Sequence, residues 1–183
     1  MKKLNYRRII PVIIFTLVLV VVFRSLFFAS YEVDGESMEP TLNDGNLLMV
    51  NTFIYDITEV DRFDVIVFHA NQQADYVKRV IGLPGDTVEY KNDSLYVNGE
   101  HWDEAFLESY AQASDSTPFT NDFTLTEITG KEEVPEGKLF VMGDNRQDSL
   151  DSRSFGFISA EQLVGKVDIK YWPLNQNSFT LGK

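Results

Sequence analysis

From Ile9 to Phe23 only Pro11 and Thr16 interrupt a run of strongly apolar side chains, and beyond Arg24 the segment resumes as Leu26-Phe27-Phe28-Ala29. A helix over such a stretch is about 20 residues long, enough to cross the ~30 Å hydrocarbon core of a bilayer. It lacks the polar face that a helix on a soluble core needs. Residues 9–29 are therefore expected to form a single-pass transmembrane anchor in the lipid bilayer. Pro11 is placed in its first turn, where a missing N–H costs little, and Arg24 snorkels to the headgroups. A cleaved secretory signal is the competing reading, but Phe27 and Phe28 ahead of Ala29 suit cleavage poorly. Lys2, Lys3, Arg7 and Arg8 precede the apolar run, which predicts residues 1–8 in the cytoplasm and residues 30–183 outside it.

The charge is unevenly placed. Five of the 16 basic residues lie in the first 24 positions, so the chain beyond residue 30 carries 11 basic against 28 acidic residues, a net of −17. Such a domain repels phosphate backbones, which argues against nucleic acid as a partner. The chain contains no Cys, so its stability cannot rest on disulfides, which is compatible with export without proving it.

Beyond the anchor the pattern is short and extended. Leu47–Val50, Asp64–Phe68, Tyr76–Ile81, Thr87–Tyr90, Ser94–Val97 and Lys138–Met142 are β-rich runs bounded by turn residues such as Asn43-Asp44-Gly45, Pro84-Gly85-Asp86 and Asn98-Gly99. Val88 to Gly99 reads as a hairpin, Asp103 to Ala113 as a short helix and Ala111 to Asn121 as a polar loop. The expected fold is mostly β, with a small lobe at about residues 87–136 inserted into a main domain that carries the chemistry.

With no Cys and only His69 and His101, a cysteine nucleophile is excluded and a Ser-His-Asp arrangement has few candidates. A serine and a lysine can hydrolyse without histidine, provided the lysine is desolvated enough to be neutral near the working pH. Lys78 stands among Val77, Val80 and Ile81, and period-two alternation puts Tyr76 and Val80 on its face and Arg79 on the other. The plainer reading is a lysine on a solvated strand face. Ser37, in Ser37-Met38-Glu39-Pro40-Thr41-Leu42, could equally begin a turn. As a nucleophile it would present its hydroxyl and its N–H, with Gly35 giving the backbone room and Pro40 fixing the following chain. The run Gly143-Asp144-Asn145-Arg146-Gln147-Asp148-Ser149-Leu150-Asp151-Ser152-Arg153 reads as a loop of Asx turns. Its oxygen ligands also suit a cation, although EF-hand spacing is absent.

Taken together and in this order, the runs Ser37–Leu42, Tyr76–Asp86 and Gly143–Arg153 resemble the type I signal peptidases, the Ser-Lys leader peptidases of peptidase family S26. Arg62–Phe68 is similar to that family's strand between nucleophile and base, and the single anchor and compact length resemble its short Gram-positive form. The resemblance implies a signal-peptidase/LexA-like β domain in the bacterial cell membrane. Ser37 then matches the nucleophile, and Lys78 the general base. Ser149 matches a serine that orients the lysine, and Asp144, Asp151 and Arg153 match residues that hold the active-site loop together. Some members add a serine hydroxyl two positions before the nucleophile as an oxyanion donor; this chain has Gly35 there.

The implied substrates are exported preproteins with small residues at the first and third positions before the cut, and no metal or cofactor is required. An extended substrate would pair with a strand edge beside Ser37, with Val33, Gly35, Met38, Tyr76 and Val77 as candidate contacts. Two alternatives stand beside this reading: a self-cleaving LexA-like regulator, and a membrane-tethered binding module without catalysis.

Overall fold

The computed structural model describes residues 6–107 and 118–172. Helix α1 (Tyr6–Phe27) leads without a linker into strand β1 (Phe28–Glu32), so Phe28 and Ala29, read as the end of the apolar segment, belong to a strand. The helix starts early enough to place Pro11 in its interior rather than in its first turn. Among the described residues it is the one helix apolar and long enough to cross a membrane, over Ile9–Phe27. Lys2 and Lys3 of the basic cluster lie outside the described residues.

The strands that follow are β2 (Leu47–Asn51), β3 (Val65–His69), β4 (Asp75–Gly82), β5 (Val88–Lys91), β6 (Ser94–Val97), β7 (Glu100–Trp102), β8 (Phe123–Thr124), β9 (Lys138–Met142), β10 (Ile158–Ser159) and β11 (Leu163–Trp172). One-turn helices α2 (Ile54–Ile57), α3 (Leu125–Thr129) and α4 (Ser152–Phe155) interrupt them. Seven strands form one sheet in the order β1-β2-β11-β3-β4-β9-β10, and four form a second in the order β7-β6-β5-β8. Every strand pair is antiparallel. The second sheet is built entirely from chain that lies between β4 and β9.

Local chemistry accounts for most of this. In β3 the run Val65-Ile66-Val67-Phe68 is buried without alternation, as befits a strand flanked on both edges and covered on both faces. The β5–β6 hairpin turns on Asn92 and Asp93, and β6–β7 on Asn98 and Gly99, all four at positive φ. Two-residue turns of that type match the twist of the flanking strands, and Asn, Asp and Gly tolerate the left-handed backbone. The expected helix from Asp103 is not formed in its described part: Glu104 to Leu107 make a single turn closed by Leu107 N–H on the Glu104 carbonyl. The rest of that segment, and most of the expected 111–121 loop, lies outside the described residues.

The longest strand, β11, was hidden by its charges. Lys166, Asp168 and Lys170 break the apolar pattern, yet β11 lies in the sheet between β2 and β3. Its charges find partners there: Lys166 on Asp64 at 2.5 Å, Asp168 on Asn51 at 3.1 Å and the buried Lys170 on the Thr41 carbonyl at 3.5 Å.

Candidate active site

Ser37 sits in the turn that follows β1, and that turn is anchored on both sides by apolar neighbours. Val33, Met38 and Leu42 are buried in a cluster with Leu48, Val50, Val65, Val67 and Val167. Gly35, at φ +97°, makes the bend, and its N–H is spent on the Asp44 carboxylate at 2.8 Å. Gly35 therefore offers no free backbone donor as a substitute for the absent serine hydroxyl. The Ser37 N–H, by contrast, has no acceptor among the described residues.

Lys78 projects from β4, paired across to Ile66 of β3. Pairing of β4 with β9 begins only at Arg79, which leaves Asp75 to Lys78 without a strand partner on that side among the described residues. Here the Lys78 ammonium nitrogen lies 2.7 Å from Ser37 Oγ and 3.0 Å from the Val77 carbonyl oxygen. Only 4 % of Lys78 is exposed, so the solvated-face reading fails. Burial lowers its pKa from the ordinary lysine value to about 8, against a weaker upward pull from Asp151 and Asp144. A lysine so placed supplies a neutral amine within reach of a serine hydroxyl at mildly alkaline pH.

The 143–153 loop locks the two together, and its Asp144 and Asp151 carboxylates serve guanidinium groups. Asp144, fully buried, accepts from Arg79 Nε at 2.8 Å and Nη2 at 2.6 Å and from the Thr41 hydroxyl. Arg79 thus points away from Lys78, as alternation requires, and stacks over Phe106 at 3.8 Å. Asp151 accepts from Arg153 Nε at 2.9 Å and Nη2 at 2.7 Å and from Gly143 N–H at 3.0 Å. Burial alone would raise the Asp151 carboxyl, but the Arg153 hydrogen bonds and charge, with the Gly143 N–H, hold it below the ordinary carboxylate range. The cation-site reading of this loop is displaced, since Asp144 and Asp151, two of its three carboxylates, are taken up by arginines.

The Ser149 hydroxyl is buried beside Asp151, close enough to favour the charged carboxylate but without hydrogen-bond geometry to any described group, Lys78 included. It packs against Gly143, where an added Cβ would strike both Ser149 and the Ser37 carbonyl.

Sequence reasoning weighed Asn145 only as an oxygen ligand for a cation and gave Arg146 no role, yet both build the site. Asn145 donates its N–H to the Ser37 carbonyl at 3.1 Å and its side-chain amide to the Glu36 carbonyl at 3.3 Å, tying loop to nucleophile turn. Arg146 reaches from the Gly143 carbonyl to Tyr90 and Glu104, and so fastens the loop to the second sheet. Each sits in a run of polar residues whose partners are far away in sequence. The one local hint is the density of Arg and Asp in a loop after an apolar strand.

Beside the pair lies a cleft of ≈ 200 Å³ lined by Tyr31, Val33, Met38, Tyr76, Val77 and Leu150, among others. Four of the five expected substrate contacts, Val33, Met38, Tyr76 and Val77, line it; Gly35 does not.

The sequence profile of the family described as signal peptidase, peptidase S26, matches residues 6–172. The chain belongs to this family. It is 58 % identical over 156 residues to signal peptidase I of Bacillus caldolyticus, covering 85 % of this chain and 86 % of that one. Signal peptidase IB of Staphylococcus aureus strain Mu50 is 42 % identical over 180 residues, covering 96 % and 94 %. The crystal structure of a signal peptidase I from Enterococcus faecalis V583 superposes with a TM-score of 0.57 at 44 % identity, covering 61 % of this chain and 98 % of that one.

Proposed function

We propose that Ser37 and Lys78 carry the reaction of this membrane serine endopeptidase, the removal of signal peptides from exported preproteins. The supporting observation is the 2.7 Å contact between Lys78 Nζ and Ser37 Oγ at a buried, pKa-lowered lysine. Neutral Lys78 takes the hydroxyl proton as Ser37 Oγ bonds to the scissile carbonyl carbon. The Ser37 N–H donates to the developing oxyanion. The lysine then hands its proton to the leaving amine as the C–N bond breaks. Water, deprotonated by the same lysine, releases the acyl group and restores the serine.

The preprotein binds extended along the unpaired side of Asp75–Lys78, where main-chain hydrogen bonds hold it and the cleft reads alternate side chains. Val33, Met38, Tyr76 and Val77 narrow that cleft, which suits small residues before the cut. Asp144, Asp151 and Arg153 position the loop behind the pair, and Ser149 acts through Asp151 and Gly143. Residues 9–29 anchor the chain with 1–8 in the cytoplasm, and 30–183 form the extracytoplasmic catalytic domain with its inserted lobe at about 87–136. Sharing the membrane plane with its substrate raises the effective concentration of each.

The test is cleavage of a purified preprotein by the full-length protein in detergent, beside Ser37→Ala and Lys78→Ala, with the cut located by mass spectrometry. A cut after a small-x-small segment, abolished by either substitution, is expected. Cleavage that survives Lys78→Ala would overturn the dyad, and a folded wild type that cuts nothing would favour the binding-module alternative.

A further inference from the structure

Chain from the inserted lobe reaches the catalytic loop through a carboxylate. Glu104 stands in the single turn that follows β7, and its side chain is only 10 % exposed. It accepts from Arg146 Nη2 at 2.5 Å and Nη1 at 3.4 Å, and from the Tyr90 hydroxyl at 2.8 Å. The Arg146 side chain is wholly withdrawn from water, and its guanidinium lies over the Tyr90 ring, 5.2 Å from the centroid. The loop thus sends its arginine into the lobe and finds its counter-charge there.

Arg146 passes this fixation on to the nucleophile. Its Nε donates to the Gly143 carbonyl at 3.0 Å, its N–H to the Asp144 carbonyl at 3.0 Å, and its own carbonyl accepts from Arg153 Nη1 at 2.7 Å. Little freedom is left to the residue before it. That residue is Asn145, whose N–H holds the Ser37 carbonyl at 3.1 Å and whose side-chain amide holds the Glu36 carbonyl at 3.3 Å. A lobe carboxylate is therefore linked, through Arg146 and Asn145, to the turn that presents the serine.

The ion pair is not needed to join the lobe to the main sheet. Ile81, Phe140 and Met142 of the main sheet share one buried cluster with Val88, Tyr90, Leu95 and Phe123 of the second, and that apolar burial already holds the two together. A buried ion pair adds little net stability over an apolar replacement, because desolvation of both charges offsets their attraction. What it supplies is direction, since the planar fork of an arginine on a carboxylate fixes where the loop backbone lies.

We propose that Glu104, assisted by Tyr90, is a positioning residue for signal-peptide cleavage: it fixes Arg146, and through Asn145 the Ser37 carbonyl, so that the inserted lobe sets where Ser37 Oγ stands relative to Lys78. The proposal rests on the Ser37–Lys78 reading of the reaction. With Glu104 removed, the loop loosens, the serine drifts from the amine and water gains access to the lysine.

Full-length Glu104→Gln is assayed in detergent on a short soluble peptide, beside wild type, Ser37→Ala and Lys78→Ala. Its kcat is expected to fall about 10- to 100-fold, as misplacing a reacting group by an ångström or less does, with KM within about twofold of wild type. The midpoint of its kcat/KM profile against pH is expected to rise from about 8, because water at the Lys78 ammonium favours the charged form. Glu104→Gln also leaves Arg146 charged and unpaired, which lowers stability, so Glu104→Leu/Arg146→Met, free of both charges, is measured with it. The double variant should unfold nearer the wild-type temperature and yet keep the low kcat and the raised midpoint. Tyr90→Phe, which keeps the ring and loses the hydroxyl, should show the same changes at smaller size. Recovery of kcat together with stability in the double variant would make the pair merely structural and overturn the proposal, as would an unmoved midpoint in the variants that fold. Cleavage that survives Lys78→Ala would remove the dyad and this proposal with it, whereas inactive alanine variants beside a Glu104→Gln protein of wild-type kcat and midpoint would overturn this inference alone.

Discussion

Lys78 donates to Ser37 Oγ across a separation of 41 residues, from a side chain that is almost wholly withdrawn from water. Its ammonium has the Val77 carbonyl and the serine hydroxyl for partners, with Asp151 and Asp144 acting only at a distance. That combination lets desolvation prevail over the carboxylates and brings the lysine into a range where it can act as a base.

The first consequence is a pH profile. Below a pKa of about 8 Lys78 is protonated and cannot accept the Ser37 proton, so kcat/KM on a peptide substrate should climb about tenfold per pH unit up to that point and then level off. Lys78→Arg should remain inactive throughout, since a guanidinium stays charged. A flat profile between pH 6 and 9, with wild-type protein folded, would remove Lys78 as the base.

The same buried lysine costs stability. Its folded-state pKa is depressed, so between about 8 and the ordinary lysine value the unfolded chain binds more protons, and stability rises with pH there. The penalty is fully present below that window. Lys78→Met should therefore stabilise the domain by ~2–3 kcal/mol at pH 7, with the difference from wild type shrinking toward pH 10. Urea unfolding at the two pH values checks both the sign and the trend.

Breaking the Arg79–Asp144 pair should be severe. Both groups are buried and joined by two hydrogen bonds, so Asp144→Asn or Arg79→Met leaves a charge uncompensated and should cost ~3–5 kcal/mol. Removing both charges together should cost less than the sum of the two single changes. Thermal unfolding of the three variants forms the cycle.

Gly143→Ala tests how tightly the loop registers the nucleophile. A methyl there meets Ser149 and the Ser37 carbonyl, so the turn that presents Ser37 must move, whereas the strands of both sheets need not. A drop of ~100-fold or more in kcat with an unchanged far-ultraviolet circular dichroism spectrum is expected. A variant with full activity would show the loop to be compliant.

Much of the fold was legible in the chain because its signals are local. The apolar run announced α1 by length, β3 and β9 were continuous apolar stretches between turn residues, and Asn98-Gly99 marked a hairpin turn through its backbone preference. What escaped depended on distant partners. Charges obscured β11 because Asp64, Asn51 and Thr41, which satisfy them, lie more than a hundred positions away. In the described part of the helix expected from Asp103 the chain makes a turn instead, and Glu104 there joins Arg146 and Tyr90.

For the site, the sequence by itself determined the inventory: a serine in a turn, a lysine among apolar strand residues, no cysteine and a loop crowded with Asp and Arg. Alternation also sent Arg79 to the face opposite Lys78. It left Lys78 divided between a solvated lysine and a buried base, since both have the same neighbours in the chain. Only the tertiary structure decided that, by bringing the Ser37 turn, the unpaired stretch of β4 and the 143–153 loop together. A pKa is set by what surrounds a group in space, and those surroundings come from three segments that the chain itself keeps far apart.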